Sequence, residues 1–135
     1  MNFNMEINSS FEECDRAREQ VVELIKKCDC FQDLILFKVS IAIEEALINA
    51  IEHGNKGDTT KKIFIEFINS AEKIVVKVKD SGKGFDVKKV KDPTKDDEVS
   101  KFLDRGRGTY LINKTMDKVF YNESGNEIIM EKYKN

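Results

Sequence analysis

A chain of 135 residues has the length of one ordinary domain and leaves little room for a second core. Its residues are 40% hydrophobic and 36% charged, enough for a core wrapped in a strongly solvated surface. With 23 basic against 25 acidic side chains the net charge is only -2, which excludes the basic field that dominates nucleic-acid affinity.

The opening residues carry no charged leader followed by an apolar core, and no uncharged apolar run approaches about 18 residues, so neither export nor a membrane span is expected. Cys14, Cys28 and Cys30 match no zinc or paired-disulfide spacing and read as free thiols in a reducing cytoplasm.

Phe3, Met5 and Ile7 alternate with polar neighbours and predict a half-buried edge strand. Ser10 and Glu13 form a capping-box pattern ahead of Ala17, Val21, Leu24, Ile25 and Cys28, which predicts a helix from about Phe11 to Lys27. From Asp33, the expected N-cap, to His53 the chain is apolar on nearly every face, with Gly54 as the expected C-cap. This second helix should be the buried one.

Lys62 to Ile68 and Lys73 to Lys79 are β-rich runs divided by turn residues and predict a hairpin of central strands. The stretch from Asp86 to Asp104 holds the only proline, Pro93, among dense charges, and reads as a surface segment. A short helix is expected over Thr109 to Asp117. Lys118 to Asn122 and Glu127 to Tyr133 then form a last hairpin turned by Ser124-Gly125-Asn126. Strands adjacent in sequence imply an α+β fold, with an antiparallel-dominated sheet and helices on one face.

Three segments carry the chemistry. Glu45 and Asn49 are four residues apart on the apolar helix, so one ligand could touch both. A hydrated metal bound to phosphate oxygens would satisfy this carboxylate and amide, although a polar stripe on a half-exposed helix gives the same pattern. Asp80-Ser81-Gly82-Lys83-Gly84 follows a strand directly. Its glycines permit close backbone approach and its aspartate could accept from an exocyclic amine, and a plain glycine-containing turn reads alike. Arg105-Gly106-Arg107-Gly108-Thr109 precedes the short helix, whose orphan amides make a ready anion site or an ordinary loop cap.

Taken together and in this order, the three segments resemble the histidine-kinase-like ATPases, with an N box from Glu45 to Asn55, a G1 box from Asp80 to Gly84 and a G2 box from Gly106 to Gly108. The likeness runs from the first strand to the last hairpin. Within that superfamily the chain looks most like the anti-sigma factor serine kinases, which consist of this one domain. A sensor kinase needs a further helical domain with a phosphoacceptor histidine, whereas the only histidine here is His53, inside the N box.

The resemblance implies the Bergerat-type fold, a two-layer α/β sandwich with a mixed, mostly antiparallel sheet. It implies that Asn49 coordinates magnesium, that Asp80 binds the adenine amino group and that Glu45 is the general base. Gly82, Gly84, Gly106 and Gly108 would shape the nucleotide pocket, with Arg105, Arg107 and Thr109 contacting phosphate. His53 would lie beside the nucleotide or cap the helix end, and residues 85–104 would be the ATP lid. Arg105 and Arg107 are basic where the more familiar kinases often carry a small or apolar residue.

The implied cofactors are ATP and Mg2+. The implied partners are an anti-anti-sigma antagonist, phosphorylated on serine or threonine, and a sigma factor that is sequestered. Homodimers are common in the family. The alternative is an ATP- or ADP-gated protein-binding module without phosphoryl transfer.

Overall fold

The structure, a computed structural model, describes residues 1–83 and 106–134. The expected lid over 85–104, together with Gly84 and Arg105, lies outside the described residues. The elements run β1 (Asn2–Asn8), α1 (Phe11–Cys28), α2 (Asp33–Asn49), a π-helical turn (Ala50–Gly54), β2 (Lys62–Asn69), β3 (Lys73–Lys79), α3 (Gly106–Thr115), β4 (Lys118–Tyr121) and β5 (Glu127–Tyr133).

The strands form one sheet in the order β1-β2-β3-β5-β4. Every pairing among the described residues is antiparallel, which narrows the expected mixed sheet. Register sorts the side chains. Ile65 pairs with both Met5 and Val78, and Phe67 with both Phe3 and Val76, so these residues share a face. Val76 and Val78 continue that face into Met130 and Ile128 of β5.

All the helices pack on this face. Ile63, Phe67, Ile74, Val76 and Met130 join Ala17, Val21 and Ile25 of α1, Val39, Ala42 and Ile43 of α2, and Ile112 of α3 in one buried cluster. The opposite face mixes apolar and charged groups: Phe64 is exposed, Lys77 pairs with Glu66 at 3.6 Å, and Lys73 pairs with Glu131 at 2.8 Å. The alternation of β1 is what one covered face requires.

Helix α1 begins as expected, with the Ser10 hydroxyl accepting the Glu13 N–H at 3.2 Å. The Glu13 carboxylate reaches past Ser10 and accepts from the Asn8 N–H at 3.1 Å, tying helix to strand instead of closing the reciprocal pair. At α2 the N-cap is Gln32, without a side-chain cap bond, and Asp33 is already helical. An aspartate in the first turn is favoured there by the helix dipole, so the residue type signals either position.

The far end of α2 departs further from expectation. Gly54 is not a left-handed C-cap. The helix widens into the π turn Ala50–Gly54, in which the Asn55 N–H donates to Ala50 O at 2.8 Å, and the left-handed residues come later, at Lys56 (φ 53°) and Gly57 (φ 76°). Helix α3 starts at Gly106, three residues ahead of the expected Thr109, and packs against α2. That packing offsets the roughly 1 kcal/mol by which a glycine disfavours a helix interior, a cost that is smaller in a first turn.

Candidate functional site

Helix α2 carries the first part of the site. Val39, Ala42, Ile43, Ala46, Leu47 and Ala50 form its buried stripe, and Glu45 and Asn49 are half-buried along one border. Glu44, Leu47 and Ile48 line the groove against α1, so Glu45 and Asn49 occupy the border that α1 leaves open. Both are neither fully solvated nor sealed in, as polar groups that meet a ligand must be.

One and a half turns beyond Asn49 the π turn brings the helix end against the strand β3 exit. Gly54 touches Asp80 so closely that a Cβ on Gly54 would lie 2.1 Å from Asp80 Oδ2 and 2.2 Å from its Cγ. Gly82 is pressed as tightly, since a Cβ there would lie 2.1 Å from Gly54 O. Two glycines from separate segments are thus required by contact, not by an unusual backbone, because neither has a positive φ.

The aspartate is held on several sides. Its Oδ1 accepts the Gly82 N–H at 2.8 Å, and its own N–H donates to Asn126 O at 2.9 Å. Asn126 is in turn set by Asn122, whose Oδ1 accepts the N–H groups of Asn126 and Glu127 at 3.1 and 3.2 Å. A carboxylate offers about four acceptor positions, the chemistry that accepting from an exocyclic amine requires.

Asn55 completes the junction. It is fully buried, its Oδ1 accepts the Ser81 N–H at 2.8 Å and its Nδ2 donates to Lys62 O at 3.2 Å. The Ser81 hydroxyl donates to the same Lys62 carbonyl at 2.7 Å. Sequence reasoning passed over Asn55 and Ser81 as site residues. The available signal was an asparagine just past a glycine at the end of an apolar helix, but its partner lies 26 residues further on.

The structure therefore brings Asp80 and Gly82 onto the end of the segment that bears Glu45 and Asn49. By helical rise Asn49 lies roughly 7.5 Å and Glu45 roughly 13 Å back along the axis from Gly54, a row suited to an elongated ligand. His53 sits in the π turn beside Gly54 and is half-buried. Gly106, Arg107, Gly108 and Thr109 form the first turn of α3, not a loop ahead of it. The amides of a first turn still lack intrahelical acceptors, so the backbone remains suited to an anion. Among the described residues no group of three or more His, Cys, Asp or Glu side chains could hold a metal ion, and no helix is long and apolar enough to cross a membrane.

Comparison with known proteins agrees with this geometry. The chain is similar to proteins named serine-protein kinase RsbW. It is 33% identical to that of Listeria monocytogenes over 104 residues, covering 72% of this chain and 65% of the relative. Identity to that of Staphylococcus aureus is 35% over 99 residues, covering 69% and 62%, and to that of Oceanobacillus iheyensis 32% over 100 residues, covering 70% and 63%. The matches thus span less than two thirds of these relatives' own length. Residues 7–132, from the end of β1 to the last strand, match the model of the histidine kinase-like ATPase domain, and the chain belongs to that family.

Proposed function

We propose that the protein binds Mg-ATP between α2, the Asp80 turn and the start of α3, and passes the γ-phosphate to a serine or threonine of an anti-anti-sigma antagonist. The observation that carries this reading is the contact of Gly54 with Asp80, which joins the helix of Glu45 and Asn49 to a strand-end carboxylate. The likeness to proteins named serine-protein kinase supports the choice of reaction.

In this reading Asp80 accepts a hydrogen bond from the adenine amino group, and the close packing of Gly54 and Gly82 around the carboxylate fixes where that bond can form. Gly84 and Arg105 are part of the same proposal on sequence grounds. The amides of Gly106 to Thr109 face the phosphates, with Arg107 and Thr109 adding side-chain contacts and His53 lying near the bound nucleotide. Asn49 supplies a hard oxygen donor that fits magnesium. Because no described cluster could hold a metal alone, the ion would draw most of its ligands from phosphate and water, as magnesium commonly does. When bound, it offsets phosphate charge.

Glu45 acts as the general base. The substrate hydroxyl oxygen attacks the γ-phosphorus, its proton passes to the Glu45 carboxylate, and the bond to the β,γ-bridging oxygen breaks with ADP as leaving group. The added phosphate charge would drive the antagonist off its partner surface, leaving this protein to sequester a sigma factor.

The test is transfer of labelled γ-phosphate from ATP into a lysate of the organism that makes the protein, comparing wild type with Glu45→Ala after both are shown to bind ATP. A small labelled protein seen only with wild type supports the kinase. Equal labelling, or none from either in a lysate containing unphosphorylated antagonist, rejects it in favour of a nucleotide-gated binding module.

A further inference from the structure

Asp80 could be aimed by its own strand alone, but the structure ties its turn to Asn55, the last residue of the N box. The turn that follows Asp80 is fastened by three hydrogen bonds among three residues. Asn55 Oδ1 accepts the Ser81 N–H at 2.8 Å, Asn55 Nδ2 donates to Lys62 O at 3.2 Å, and the Ser81 hydroxyl donates to that same carbonyl at 2.7 Å. Asn55 is 0% exposed, so both ends of its amide must be satisfied by protein, and they are.

The consequence for the carboxylate is direct. The Ser81 N–H is the first peptide after Asp80, and the next one, Gly82 N–H, donates to Asp80 Oδ1 at 2.8 Å. Fixing Ser81 therefore fixes a donor that orients the carboxylate. Gly54 blocks the other side, and Asn55, the C-cap of the π turn, is its immediate neighbour, so one residue borders both walls around Asp80. A π turn in place of a continued α-helix is what delivers Asn55 here, since its N–H bonds to Ala50 O at 2.8 Å.

We infer that Asn55 is a specificity-determining positioning residue, which by clamping Ser81 holds the Asp80 carboxylate in the pose that selects a 6-aminopurine nucleotide over a 6-oxopurine one. The inference rests on the reading that Asp80 meets the adenine amino group. A 6-oxo group presents an acceptor to a carboxylate acceptor, so a well-aimed Asp80 repels it, and a loosely held Asp80 can turn aside.

The experiment is calorimetric titration of the full chain with Mg-ATP and with Mg-ITP, reading the ratio of the two affinities. Asp80→Asn should collapse the ratio, because an amide can donate to a 6-oxo group. Asn55→Ala should lower the ratio by at least about fivefold, mainly by weakening ATP, with ITP affinity within about twofold of wild type. If Asn55→Ala does not fold, Asn55→Ser carries the same expectation, since its shorter hydroxyl cannot span to Ser81.

A merely structural role for Asn55 would weaken ATP and ITP together and leave the ratio unchanged, which would overturn the inference while the Asp80 reading stood. An Asp80→Asn protein that keeps the wild-type ratio would overturn both.

Discussion

Gly54→Ala is the sharpest perturbation the site offers, because its two local effects have opposite signs. The backbone at Gly54 is not left-handed, so alanine meets no conformational barrier, and on helix propensity alone it would stabilise by about 0.5–1 kcal/mol. The new Cβ, however, would lie 2.1 Å from Asp80 Oδ2, 2.2 Å from Cγ and 2.7 Å from Cβ. Restoring an ordinary contact of about 3.5 Å requires the carboxylate to move by roughly 1.4 Å, half the length of a hydrogen bond. It cannot swing freely, since Oδ1 is engaged by Gly82 N–H and the Asp80 backbone is fastened to Asn126.

A charge-assisted hydrogen bond lost in this way is worth about 1.5–3 kcal/mol, so the dissociation constant for ATP should rise by roughly 10- to 150-fold. Overpacking should also cost about 1–3 kcal/mol of stability, partly offset by the propensity gain. The assay pairs calorimetric titration of Mg-ATP with thermal melts at matched nucleotide excess. Wild type should be stabilised by about 2.7 kcal/mol at a hundredfold excess over its dissociation constant, and Gly54→Ala by far less at the same concentration. A variant that stays folded and binds ATP within about threefold of wild type would refute the claim that Gly54 is required by its contact with Asp80.

Three further predictions rest on other parts of the fold. Ser10→Ala removes the acceptor for the Glu13 N–H and should cost about 1 kcal/mol, lowering the melting temperature by about 3–6 °C while ATP affinity is unchanged. Phe67→Ala, at a fully buried position in the centre of the sheet, should cost about 3–5 kcal/mol in urea unfolding, and a cost below about 1 kcal/mol would contradict the assigned core.

Burial, with Asp15 and Glu13 nearby, pushes the Cys14 thiol from its ordinary 9.0 up to about 12. Between these values the unfolded chain has released the proton that the folded chain retains, so the Cys14 contribution to stability should fall as pH rises from 9 towards 12. Native protein should accordingly show Cys14 protected from a thiol reagent at pH 8 and reactive on unfolding; equal reactivity in both states would contradict its burial.

Local order was written plainly in the chain. The alternation of Phe3, Met5 and Ile7, the Ser10 cap and the β-rich runs each depend on neighbours within a few residues, and β1, α1, β2, β3 and β5 appear within a residue or two of expectation. The pairing of Glu45 with Asn49 was equally legible, since helical rise and rotation alone set it. Boundaries that depend on competition were not. Asp33 suits an N-cap or a first turn, and Gly106 to Gly108 suit a loop or a helix start, until packing of α3 on α2 decides.

What the chain determined by itself was therefore the set of elements, the burial of one sheet face and the residue types of the site, because propensity and hydrophobic period act locally. The tertiary structure alone decided how those parts meet. The π turn has no local signature, for it replaces one backbone bonding pattern by another with little change in side-chain period, and it exists where Asn55 finds Ser81 and Lys62. The close approach that makes Gly54 a glycine comes from Asp80, 26 positions away, and no short window along the sequence contains both partners.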